Sequence, residues 1–152
     1  MDKKNKYDKV LGIIETTLSG DLELSFEARM SLISAILHMV FGHWTFCGFY
    51  VMRRNPDMLE IGPYQGNILP CTHIPIGLGV CGTSVKEKKT IIVDDVRECA
   101  NYISCDSDTI SEIVVPIIHK EEVKAVLDID SPFLSDFDEI DKFELERISS
   151  II

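Results

Sequence analysis

The sequence predicts an α+β fold: one antiparallel sheet of about six strands, with N-terminal and C-terminal helices packed on one of its faces. Three observations lead there. Apolar residues recur at helical spacing before Gly42 and again after Ser135. Between these ends the period changes to short β-branched and aromatic runs punctuated by Gly, Pro, Asn and Asp. Neighbouring runs before and after the middle of the chain are joined by tight turns, as hairpins are.

Each element has its own signal. Tyr7, Val10, Leu11, Ile14 and Leu18 form an amphipathic stripe that predicts a helix from about Lys6 to Leu18, ended by Ser19-Gly20-Asp21. Ser25 is placed to cap a second helix whose stripe is Phe26, Met30, Ile33, Leu37 and Val40, and Gly42 closes it. Thr45 to Arg53 and Met58 to Ile61 read as a hairpin over Asn55-Pro56-Asp57. Thr72 to Ile76 and Thr90 to Val93 are further strands, with a short helix between them. Arg97 to Ser111 has no period. Ile113 to His119 and Val123 to Asp130 make a second hairpin around Lys120-Glu121-Glu122. Ser135 is read as the cap of a final helix carrying Phe137, Ile140, Phe143, Leu145 and Ile148. With no repeat, linker or low-complexity tract, residues 1–152 are expected to form a single domain.

Composition narrows the function. Apolar residues are 45% of the chain and charged residues 26%, a globular profile. Twenty-five Asp and Glu against fifteen Lys and Arg give a net charge of -10, which argues against nucleic acid and anionic membrane surfaces as partners. No stretch approaches the ~20 apolar residues of a spanning helix, and no apolar run follows the charged start as a signal peptide requires. A cytoplasmic location is expected. Five cysteines, an odd number in a chain of this length, do not read as a disulfide framework.

The stretch from Gly62 to Asp130 concentrates the residues with chemistry. Gly77-Leu78-Gly79-Val80-Cys81-Gly82 matches G-x-G-x-x-G, but Thr83 to Lys89 is too short for a parallel crossover. These glycines are read as a tight turn that lets backbone approach a ligand or another strand. Cys71, His73, Cys81 and Cys105 lack the paired C-x-x-C of a zinc site, so no metal or cofactor is expected. Cys47, inside an apolar run, reads as an inert core thiol, and Cys99 leans the same way. Cys81 and Cys105 lie in Gly-rich or polar loops. Asp128 and Asp130, two apart in a strand, share a face. Glu112 begins the partner strand and joins that face if the connecting turn is odd; an even turn puts it on the other. Singly these are solvated rim acids. Grouped beside thiols, like charges raise one carboxyl's pKa and keep a proton available.

Taken together, GPYQG at Gly62–Gly66, GVCGT at Gly79–Thr83, CDSDTISEIVVP at Cys105–Pro116, VLDIDSP at Val126–Pro132 and FDEID at Phe137–Asp141 resemble the free methionine-R-sulfoxide reductases, enzymes built on a GAF domain. The resemblance covers nearly the whole chain. It implies redox cysteines at Cys71, Cys81 and Cys105, substrate carboxylates at Glu112, Asp128 and Asp130, and an aromatic wall for the substrate methyl at Phe46 and Tyr50. The family usually has Trp where this chain has Phe46; Trp44, two residues earlier, would share that strand face. Within the implied set Cys105 is assigned as attacking thiol, Cys71 as main resolving thiol and Cys81 as a third, although Asp106 beside Cys105 opposes thiolate formation and the residues leave Cys81 and Cys105 interchangeable.

The implied activity is reduction of free methionine-R-sulfoxide through a cysteine sulfenic acid and an intramolecular disulfide, reset by thioredoxin or a similar dithiol. The rival reading is a non-catalytic GAF module that binds a small ligand as a sensor. Oligomeric state stays open, a homodimer included.

Overall fold

The computed structural model describes residues 1–20 and 23–152; Asp21, part of the predicted helix stop, lies outside them. Its helices are α1 (Lys3–Leu18), α2 (Phe26–Phe41), α3 (Gly79–Glu87) and α4 (Glu139–Ser149). The strands are β1 (Phe46–Met52), β2 (Met58–Gly66), β3 (His73–Pro75), β4 (Ile91–Val93), β5 (Ser111–His119) and β6 (Glu122–Ser131). They form one sheet in the order β3-β2-β1-β6-β5-β4, every pairing antiparallel. The predicted class and strand number hold. Antiparallel neighbours also leave no dinucleotide-type crossover around α3.

Two cores lie on the two faces of this sheet. On one, α1, α2 and α4 cover Cys47, Phe49, Val51, Ile113, Val115, Leu127 and Ile129 with Tyr7, Met30, Leu37, Leu145 and Ile148. On the other, α3 contributes Val80, Cys81 and Val85 to a smaller core with Phe46, Tyr50, Val114 and Val126. Strand alternation makes the division: odd residues of β1 face the three helices and even ones face α3.

Local signals explain most boundaries. The Ser25 hydroxyl accepts from the Ala28 N–H at 3.2 Å, and Gly42 ends α2 in the left-handed region, as expected. The last helix differs. Its N-cap is Asp138, whose carboxylate and that of Asp141 form a reciprocal capping box, while Ser135 sits earlier in a turn with φ 50°. Starting there, α4 buries Asp141, Leu145 and Ile148 and turns Ile140 and Phe143 outward; of the predicted stripe, Leu145 and Ile148 reach the core from the helix and Phe137 from just before it. Asp141 in turn accepts a 2.7 Å hydrogen bond from the Tyr7 hydroxyl and ties α4 to α1.

β2 runs five residues beyond its predicted end at Ile61, through Gly62-Pro63. The register against β1 slips by one residue between Gly48 and Tyr50, where Gly62-Pro63 form a bulge opposite Phe49. Proline, which has no N–H for the ladder, is tolerated at such a break. Trp44 does not join the even-residue face. It precedes β1 and stacks on Phe41, ring centroids 4.1 Å apart, in the core under the helices. Among the described residues no helix is long and apolar enough to cross a membrane.

Candidate active site

The site is built on the α3 side of the three central strands. In β6, Asp128 and Asp130 project to that face, and their β1 partners are Gly48 and Phe46. Gly48 is required here because a Cβ would run into the side chain of Tyr64 on β2. Phe46 lies between Tyr64 and Tyr50, with ring centroids 5.5 Å and 6.1 Å away, as an aromatic floor.

Glu112 reaches the same face by a route the parity argument does not contain. The β5–β6 turn is Lys120-Glu121, both residues at positive φ, and His119 pairs with Glu122. Such an even turn alone would set Glu112 opposite Ile129, on the wrong face. A register shift between Ile117 and Ile118, with Lys124 as the extra residue, restores the parity, and Glu112 pairs with Asp130. The three carboxylates therefore share one patch.

All three are more than nine-tenths buried, and their charges repel. Burial, then the charges of Asp128 and Asp130, holds the Glu112 carboxyl well above its ordinary range. Burial pushes Asp128 up to about 7, with its neighbours Cys81 and Glu112 acting the other way. Asp130 is raised by burial and by the charges of Asp128 and Asp106. At neutral pH the patch holds protons that solvated acids would have lost.

The thiols approach from above, Cys71 and Cys105 from loops but Cys81 from a buried helical turn and not from the loop expected of it. Cys81 lies in the first turn of α3, where the helix dipole favours a thiolate. Burial and the charges of Asp128 and Glu112 act the other way and keep the thiol well above its ordinary pKa. The turn into α3 uses Gly77 at φ 85°, and Gly82 lies so close to the Pro75 carbonyl that a Cβ would collide with it. The glycine motif thus serves close approach of α3 to β3. Cys71 and Cys105, 34 residues apart, are joined by a disulfide with Cα atoms 5.3 Å apart, linking the loop after β2 to the loop before β5. Asp106 ties that second loop: it accepts from the Asp108 and Thr109 N–H groups at 2.6 and 2.8 Å and from the Thr109 hydroxyl at 2.8 Å.

The cleft so enclosed is lined by Phe46, Tyr50, Cys81, Cys105 and the three acids. The seven residues come from the predicted site; Cys71 closes the roof through its bond to Cys105. The sequence did not single out Tyr102 and Ile103, which line the cleft from the irregular 97–111 segment, or Tyr64. That segment has no period to read. The Cys71, His73, Cys81, Cys105 set does not gather: His73 is exposed on β3 beside Glu60, 3.8 Å away.

Comparison with known proteins bears on the fold and the family. The GAF domain model matches residues 23–152. The chain is 37% identical over 148 residues to "Free methionine-R-sulfoxide reductase" of Escherichia coli strain K12, covering 97% of this chain and 87% of that one. It is 43% identical over 107 residues to the protein of the same name from Saccharomyces cerevisiae, covering 69% and 59%. The chain belongs to the free methionine-R-sulfoxide reductase family of GAF domains. The X-ray structure of the Neisseria meningitidis enzyme in complex with its substrate superposes with a TM-score of 0.92 at 38% identity, over 99% of this chain and 88% of that one. The fold itself extends further: the GAF domain of an Acinetobacter phosphoenolpyruvate-protein phosphotransferase superposes with a TM-score of 0.76 at 13% identity, over 99% of this chain and 90% of that one.

Proposed function

We propose that this protein reduces free L-methionine-R-sulfoxide to methionine. The observation that carries the proposal is the Cys71–Cys105 disulfide roofing a cleft whose floor is Glu112, Asp128 and Asp130. In the reduced protein the Cys105 sulfur attacks the sulfoxide sulfur while the buried acids donate a proton to the departing oxygen. The oxygen passes to Cys105 as a sulfenic acid and methionine leaves. The Cys71 thiol then displaces that oxygen as water and forms the disulfide. An external dithiol, thioredoxin or a protein like it, restores both thiols by exchange. This chemistry fits a cytoplasmic location, and a homodimer is compatible with it.

Two features support Cys105 over Cys81 as the attacking thiol. Cys81 is buried and held protonated beside two carboxylates, whereas Cys105 is half-buried in a loop and already bonded to its resolving partner. Selectivity has a physical basis too. The acids hold the ammonium of a free amino acid, which a residue within a peptide lacks, and Phe46 and Tyr50 receive the methyl group. The cleft with the disulfide closed has a volume of about 30 Å³, room for water and not for an amino acid, so this state belongs to the end of the turnover.

The test is a stereospecific assay with a thioredoxin system. Free methionine-R-sulfoxide should be reduced, and the S epimer and peptide-bound sulfoxide should not. Equal turnover of peptides would remove ammonium recognition, and no turnover with any dithiol would favour a sensor.

A further inference from the structure

The acid patch is short of positive charge. Among the described residues no Lys, Arg or His forms an ion pair with Glu112, Asp128 or Asp130. Asp128 Oδ1 is fully buried and has no hydrogen-bond partner at all, although a carboxylate oxygen ordinarily accepts one or two. Against it sits a mixed donor set. Cys81 Sγ from α3, a Glu112 oxygen from β5 and an Asp128 oxygen from β6 all lie within 4.8 Å of one another, and all three side chains are buried.

We propose that Cys81, Glu112 and Asp128 form a binding site for one Zn²⁺ ion. The donor chemistry selects the ion. A thiolate among the ligands disfavours Mg²⁺ and Ca²⁺, which take oxygen donors in sixfold or higher shells, and suits Zn²⁺. Zinc needs only three protein ligands plus one open position, which the adjoining cleft supplies. Bonds of about 2.0–2.3 Å set tetrahedral donors roughly 3.3–3.8 Å apart, a spacing that donors already within 4.8 Å of one another can reach by side-chain rotation. Two positive charges also take the place of the protons that burial and mutual repulsion otherwise keep on these acids. Binding displaces protons from the ligands to solvent, so affinity rises with pH. The proposal concerns binding and stands apart from the reductase reading; on that reading, the ion and the substrate ammonium compete for the same acids.

The experiment is a titration of metal-stripped protein with zinc chloride against a chromogenic zinc indicator, and in parallel with cadmium chloride, whose thiolate complexes absorb in the ultraviolet. It is run with the disulfide intact and on Cys71→Ser/Cys105→Ser, in which the roof cannot close. One equivalent of zinc per chain is expected in at least the open form, with thiolate–cadmium absorption present there and kept in that form carrying Cys99→Ser. Cys81→Ser should abolish that absorption and weaken zinc at least tenfold; Glu112→Gln should weaken it as much while the circular dichroism stays unchanged. Asp130→Asn should change it less than threefold. No uptake in either form at millimolar zinc overturns the proposal, as does unchanged uptake and absorption in Cys81→Ser. Because every readout is binding, a negative result leaves the outcome of the sulfoxide assay untouched, and the reverse.

Discussion

The two faces of the sheet treat buried cysteine in opposite ways. Cys47 and Phe46 are neighbours in β1, and Cys47 and Cys81 are both shut away from solvent. Cys47 turns to the helix side, among Phe49, Val51, Leu127 and Ile129, where burial raises its pKa and nothing is present for it to react with. Cys81 faces the other way, against Asp128 and Glu112. The first face is an ordinary dry core whose worth is its packing. The second keeps three acids from water with no ion pair to them among the described residues, an arrangement that costs stability and makes sense only if something else is gained. The lesson is that burial alone does not separate structural from chemical thiols. What lies within a few ångströms does.

The largest expected difference between the faces is in turnover. Glu112→Gln and Asp130→Asn remove charge or a proton donor from the active face without changing shape. Each should lower kcat on free methionine-R-sulfoxide by roughly 10²–10⁴-fold, with unchanged circular dichroism and a melting temperature equal to or above wild type. Full activity, or an unfolded variant, would make these acids structural.

The next effect is in stability against pH. The folded state raises the pKa of Asp128 to about 7, with burial as the main cause. A raised carboxyl keeps its proton when folded after the unfolded chain has lost it. Its relative contribution is thus full below about pH 4, the unfolded value, and is lost as pH rises through the folded one. Between about pH 5 and pH 8, wild type should lose on the order of a few kcal/mol relative to Asp128→Asn. Parallel urea-denaturation curves at every pH would contradict the burial argument.

The smallest effects belong to the helix face. Cys47→Ala and Trp44→Phe should each cost ~1–3 kcal/mol in urea denaturation, and leave KM and kcat within twofold. A change in KM for Trp44→Phe would mean that it reaches the substrate after all.

Much of this comparison was legible in the residues. The even–odd alternation of β1 and of Asp128 and Asp130 already divides the faces, and turn chemistry set the hairpins. Three things were not. The bulge at Lys124 has no sequence signal of its own, so parity from an even turn would have sent Glu112 to the wrong face. Trp44 follows the alternation only if the strand extends back to it, and β1 begins at Phe46, which frees the indole to stack on Phe41. Tyr102 and Ile103 come from a segment held by turns and by Asp106, where no periodicity exists. The pairing of Cys71 with Cys105 across 34 residues came from family resemblance, since spacing alone does not fix a partner.

The central claim is that the Cys71–Cys105 bond is the product of sulfoxide reduction over the acid patch. A single-turnover experiment tests it most directly. Protein reduced with a phosphine, then freed of it under argon, is mixed with excess free methionine-R-sulfoxide; methionine is counted by chromatography and disulfides are mapped by mass spectrometry. The account predicts one methionine released per chain, in step with a linked Cys71–Cys105 peptide. It further predicts that Cys71→Ser still releases one methionine and leaves on Cys105 either a trappable sulfenic acid or, after condensation with Cys81 and loss of water, a Cys81–Cys105 disulfide, and that Cys105→Ser releases none. Methionine release that persists in Cys105→Ser, or a Cys71–Cys105 bond that forms at the same rate without sulfoxide, would contradict it.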